Sequence, residues 1–151
     1  TYLDHQGKGA TLMILGAILM IACHLTFAFV VPAPQSVVIT YIAIILLGIS
    51  FSLVPAAMWP SVPKLIDIKL LGSAYALIFW IQNIGLYAFP MIIGSVLAAC
   101  NPGVTDPTKL DYTVPMCLFA SLGVLALILG LYLKLLDKKG GYGLEEPNIK
   151  D

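Results

Sequence analysis

"GSAYALIFWIQNIGLYAFPMIIGSVLAAC", residues 72–100, runs from end to end without a charged side chain. About 20 apolar residues, each rising about 1.5 Å in a helix, cross the hydrocarbon of a bilayer. This run is longer than that, so a tilt or a kink is expected. It does not alternate apolar and polar residues, as a strand of a membrane barrel would. A helix satisfies its own backbone groups, so a continuous apolar run suffices. The reading is a membrane-spanning helix with one oddity. Gln82 and Asn83 sit side by side in its middle, where an unpartnered carboxamide is costly.

Working outward, three more runs of the same kind appear, at about 10–31, 37–59 and 114–136. The chain is 60% hydrophobic and 11% charged, with a mean hydropathy of +0.96. Soluble domains carry about 25% charged residues. The fold class expected is therefore all-α integral membrane, with four transmembrane helices within residues 10–136 and the lipid bilayer as the first partner. Residues 1–9 form a loop. The links "PAPQS" (32–36), "PSVPKLIDIKLLG" (60–72) and "NPGVTDPTKLDY" (101–112) carry turn chemistry. The tail "DKKGGYGLEEPNIKD", residues 137–151, is polar and Gly-rich, which predicts disorder. The first run is too long for a signal-peptide core and lacks a small-x-small cleavage site.

Charge gives the orientation. The formal net charge is +0, and all 8 basic residues are Lys. That weakens a nucleic-acid reading, which calls for a basic stripe and usually some Arg, so no nucleic-acid partner is expected. With four crossings, Lys8, Lys64, Lys69, Lys134, Lys138, Lys139 and Lys150 fall on one side and Lys109 alone on the other. The positive-inside rule then places both termini in the cytoplasm, bounded by the inner membrane in a bacterial host. Cys23, Cys100 and Cys117 show no metal-ligand spacing, so no metal and no cofactor is expected. Neither a HExxH pattern nor a membrane carboxylate pair nor a Ser/His dyad is present, so the chain does not read as an enzyme.

Within the runs, small residues at Gly16, Ala17, Gly123, Ala126 and Gly130 permit close helix approach. Pro55, Pro90 and Pro115 free backbone carbonyls that a protein neighbour or a wet cavity must take up. Tyr75, Phe79, Gln82, Asn83, Leu86 and Pro90 share one helix face. Gln82 and Asn83 either brace neighbouring helices or contact a solute or water. His24, midway along the first run, reads as a neutral, hydrogen-bonded packing residue rather than a proton relay. Trp59, at a helix end, reads as an interfacial anchor.

The opening "YLDHQGKGATLMILG" (2–16) resembles the loop signature of the major facilitator superfamily. Asp4, Gly7 and Lys8 match it, whereas His5 and Gly9 stand where basic residues are usual. Residues 48–94 resemble helices ten and eleven of that superfamily, with Pro63, Lys69, Gly72 and Ala74 in the connecting link. The wording "LVPAAMWPSVP" and "GSAYALIFWIQNIGL" is most similar to the branch of dipeptide carriers that includes the lysosomal one and its bacterial relatives.

The resemblance covers the chain up to the tail. It implies that the four runs are helices nine to twelve of a twelve-helix major facilitator fold, the C-terminal portion of a longer protein. The start without Met, directly on a polar turn, agrees with that. It further implies secondary active transport of a small solute, a peptide in that branch, by alternating access, with the remaining helices of the same transporter as partners. The tenth helix would line the central cavity and the eleventh would flank it. Gln82, Asn83, Tyr75, Phe79, Trp59 and Ser52 are then the cavity candidates, and Asp4, Gly7, Lys8, Lys64 and Lys69 the cytoplasmic gate candidates. The second and third runs hold no charged residue within the membrane, so a coupling carboxylate lies in other helices or the carrier is a uniporter. The alternative is a small four-helix membrane subunit or scaffold with no transport of its own.

Overall fold

A computed structural model describes residues 5–31 and 37–147. Asp4 and the 32–36 turn lie outside them. The described residues contain no strand, and four helices are long and apolar enough to cross a membrane. We label them α1 (Gly9–Phe29), α2 (Val37–Leu65), α3 (Leu71–Cys100) and α4 (Thr113–Gly140). The protein is an all-α, multi-pass integral membrane protein.

α1 lies antiparallel between α2 and α4, and the small residues explain how. A Cβ on Gly16 would sit 2.7 Å from Val54 Cγ2 of α2, and one on Gly123 of α4 would sit 2.7 Å from Ile21 Cγ1 of α1. Gly130, two turns further along α4, meets Ile14 in the same way at 3.2 Å. Without a hydrophobic drive between helices in lipid, such close approach and interhelical hydrogen bonds hold the bundle. Ser50 Oγ, fully buried, donates to the Gly16 carbonyl at 2.7 Å. Cys23 Sγ donates to the Ala43 carbonyl at 3.2 Å, and its thiol is a buried packing group. Ala126, expected in the small-residue seam, is exposed instead. At about 3.6 residues per turn it lies about 60° around the helix from Gly123 and about 40° from Gly130.

α3 stands apart, and none of its residues is buried by the other three helices. Its far end is fixed by Asn101, whose side chain donates to the carbonyls of Leu97 (2.9 Å) and Asp111 (3.0 Å) and accepts the Asp111 amide (2.6 Å).

Two expectations need correction. α2 does not stop near Trp59; it continues through Pro60 and Pro63 to Leu65. Proline removes one helical hydrogen bond but can stay in a membrane helix when the freed carbonyl finds another donor. The tail is also not disordered over 137–147. Residues 137–140 complete α4, and Gly141 caps it with φ 65. Asp137 is buried and its carboxylate accepts the Leu144 amide at 3.0 Å. The chain then folds back over the start of α1 as a strap, residues 141–147. Local composition read this segment as unable to bury anything, but Leu144 is only 1% exposed. Residues 148–151 lie outside the described part.

Candidate functional site

Of the first group of candidates, Trp59, Tyr75 and Phe79 meet where α2 and α3 pair. Pro63 has no N–H, so the carbonyl of Trp59, four residues back, loses its helical donor. Tyr75 on α3 supplies one: its hydroxyl donates to that carbonyl at 3.2 Å. The Trp59 ring packs on Tyr75 with centroids 5.6 Å apart and on Phe79 at 5.0 Å. Trp59, Tyr75 and Phe79 therefore form one aromatic cluster, which is the tie between α2 and α3 near the Lys-rich end. The signal for it was present in the sequence, as a proline four residues after an aromatic residue.

Gln82 and Asn83 follow on the same helix, and both are exposed. The Asn83 amide donates to the Phe79 carbonyl of its own helix at 2.8 Å. Gln82 borders an otherwise apolar groove of about 440 Å³ between α3 and α4, with Leu86, Phe89, Pro90, Phe119 and Leu122 along it. Neither carboxamide is hydrogen-bonded to another of the four helices. Ser52 is exposed and returns its hydroxyl to the Gly48 carbonyl at 2.9 Å. The aromatic cluster is thus brought together, while Ser52 is held apart on its own turn.

His24 makes no relay with any of these. Its Nδ1 lies 2.8 Å from the Met20 carbonyl, and its ring packs against Phe119 with centroids 5.3 Å apart.

The second group gathers at the Lys-rich end. Gly7 (φ 69) and Lys8 (φ 63) take the left-handed conformation just before α1. Lys64, at the end of α2, donates to the carbonyls of Gly143 (2.9 Å) and Glu146 (2.7 Å). Its partner here is the chain's own strap. Lys69 is exposed, and its amide is held by the Asp67 carboxylate at 3.0 Å in the short turn before α3. Thr11 and Glu145, which sequence reasoning did not single out, complete this end. Glu145 Oε1 accepts the Thr11 amide at 2.8 Å, and Lys134 Nζ donates to Thr11 Oγ1 at 2.6 Å. Among the described residues, no three His, Cys, Asp or Glu side chains cluster as a metal site would require.

Comparison with known proteins gives a consistent answer. The chain is 33% identical over 141 residues to the lysosomal dipeptide transporter MFSD1 of Danio rerio, covering 93% of this chain and 28% of the relative. It is 34% identical over 94 residues to that of Bos taurus, covering 62% of this chain and 19% of the relative. With the Homo sapiens protein it shares 33% identity over 94 residues, 62% of this chain and 19% of the relative. The chain belongs to the major facilitator superfamily.

Within this superfamily the four helices are part of a twelve-helix membrane fold. The chain spans less than a third of the length of the transporters it matches. No family model matches the sequence, and no solved structure matches it. The relatives named here are transporters of the membrane.

Proposed function

We propose that the chain is the C-terminal portion of a secondary active transporter that moves a small peptide across the membrane by alternating access. The observation that carries this is the 33% identity to a lysosomal dipeptide transporter over 93% of the chain. The geometry is compatible with it. α3 leaves Gln82 and Asn83 exposed, with Gln82 on the groove it forms with α4, and carboxamides can both donate to and accept from peptide bonds. The neighbouring Trp59–Tyr75–Phe79 cluster offers flat apolar surface for a side chain. On this reading the remaining helices of the transporter face α2 and α3 and complete the cavity, the Lys-rich end is cytoplasmic, and any coupling carboxylate lies in those other helices.

The test is uptake by the full-length protein in liposomes, using labelled dipeptides, sugars and organic acids, with and without a proton gradient. Saturable dipeptide uptake that unlabelled dipeptide competes is the expected result. Uptake of sugars or acids alone overturns the peptide assignment, and no uptake of any solute by folded protein overturns the carrier.

A further inference from the structure

The strap after α4 is seated in a slot shaped for it. A Cβ on Gly7 would lie 2.5 Å from the Glu145 carbonyl oxygen, and one on Gly9 would lie 3.0 Å from the Leu144 carbonyl oxygen. Only glycine at these two places lets the strap come this close. The slot's own backbone then reads the strap. The Lys8 amide donates to the Glu145 carbonyl at 3.1 Å and the Gly9 amide to the Leu144 carbonyl at 3.0 Å. The Glu145 carboxylate accepts both the amide and the hydroxyl of Thr11, each at 2.8 Å. These are amides at the start of α1 that the helix itself cannot satisfy, and a carboxylate is the group the helix dipole favours there. From the other side Lys64 grips the carbonyls of Gly143 and Glu146.

The strap itself is short and hinged on glycine. Its one deeply buried side chain is Leu144. It is hinged on two glycines in the left-handed region, Gly141 (φ 65) and Gly143 (φ 77), where a backbone swing is cheap. We infer that residues 141–147 are an intramolecular latch. Docked, it ties the start of α1 and the ends of α2 and α4 into one unit; released, it frees the Lys64 ammonium for another acceptor. The slot of Gly7, Lys8, Gly9 and Thr11 is therefore a docking site for a short Gly-Leu-Glu segment, with Leu144 filling it and Glu145 closing it. This goes beyond the transport reading and does not rest on it.

Hydrogen exchange on the purified full-length protein in detergent tests the latch without any transport assay. Truncation after Gly140 should speed exchange of the Lys8, Gly9 and Thr11 amides by about tenfold or more, because their acceptors are gone. The interior amides of α1 should keep their protection. A synthetic peptide of residues 141–147 should restore the slow exchange in trans. The full-length variants Leu144→Ala and Glu145→Gln should show the same local acceleration to a lesser degree. Unchanged exchange after truncation overturns the latch, and so does acceleration that the peptide leaves unreversed. If truncation loosens the whole of α1, the two point variants decide: local acceleration supports the latch and none overturns it.

Discussion

The Tyr75 hydroxyl donates to the carbonyl of Trp59 at 3.2 Å, the carbonyl that Pro63 leaves without its helical donor. A proline inside a membrane helix and a tyrosine on the next helix thus form one unit. Tyr75→Phe should destabilise the chain by about 1–2 kcal/mol, since it leaves a carbonyl unsatisfied in a low-dielectric setting. Pro63→Ala returns a backbone N–H to Trp59. In that background Tyr75→Phe should cost appreciably less, with a coupling of about 1 kcal/mol in the double-mutant cycle. Additive effects in thermal unfolding would show that the Tyr75 hydroxyl contributes independently of Pro63.

Glycine positions that look alike in sequence should behave differently. At Gly123 a methyl group would strike Ile21 at 2.7 Å, whereas at Gly48 it would meet nothing within 4 Å. Gly123→Ala should destabilise by about 1–3 kcal/mol through overpacking of the α1–α4 seam. Gly48→Ala in the same helical setting should be neutral or stabilise by up to about 1 kcal/mol, from helix propensity. Melting temperatures of the two variants, measured together in one detergent, check the pair, and equal shifts would contradict the seam.

How much of this could be read beforehand follows from the range of the forces involved. Hydrocarbon thickness imposes a length and an apolar composition on each helix, so four spans were legible from composition alone. The glycine seam was partly legible, through Gly16, Gly123 and Gly130, because it follows helix periodicity. Pro60 and Pro63 read as breakers because the donor that rescues Trp59, Tyr75, lies on another helix. The strap was illegible for the same reason taken further: Thr11 and Glu145 are 134 residues apart, and nothing near Glu145 announces its partner. Gln82 and Asn83 could be placed on a face but not given a partner, since none of the other three helices supplies one.

Topology has a direct check. Ile68, 82% exposed, sits in the turn between α2 and α3 at the Lys-rich end. Thr105 is exposed in the loop at the opposite end. Single cysteines at these positions, in a chain with its own cysteines replaced, should react with a membrane-impermeant thiol reagent from opposite sides. By the Lys distribution, Ile68→Cys should label from the cytoplasmic side. Labelling of both from one side would break the four-crossing arrangement, and a reversed pair would break the orientation.

The loop before α4 should carry a measurable titration. Asp106 Oδ1 accepts the Thr108 hydroxyl at 2.7 Å and its amide at 3.0 Å. These bonds hold the Asp106 carboxyl below its ordinary value of 3.8. A carboxylate with a lowered folded pKa favours the turn above the ordinary value and loses that contribution as pH falls through the lowered one. The Thr108 amide resonance should therefore move with a midpoint below 3.8, and in Asp106→Asn it should not move. A midpoint at or above the ordinary value would refute the bonding.

The carboxamides of α3 give the sharpest functional prediction. Asn83 bonds only to Phe79 of its own helix among the four helices, and Gln82 borders a groove whose other walls are apolar. Neither holds this bundle together. In the isolated chain, Gln82→Leu and Asn83→Leu should therefore change stability by no more than about 0.5 kcal/mol, as surface substitutions do. In the full-length protein, on the proposed transport reading, the two roles separate. If the amides meet substrate, each change should weaken dipeptide affinity by about tenfold, the equivalent of one lost hydrogen bond to a neutral partner, with the melting temperature preserved. If they brace helices outside this chain, the melting temperature should fall while the affinity of the surviving protein holds. Measuring both quantities on the same purified variants decides between them. We expect the affinity to move, because both amides are exposed and follow the Trp59–Tyr75–Phe79 cluster along α3. A loss of stability in the isolated chain would contradict both readings, since it would require a partner among these four helices.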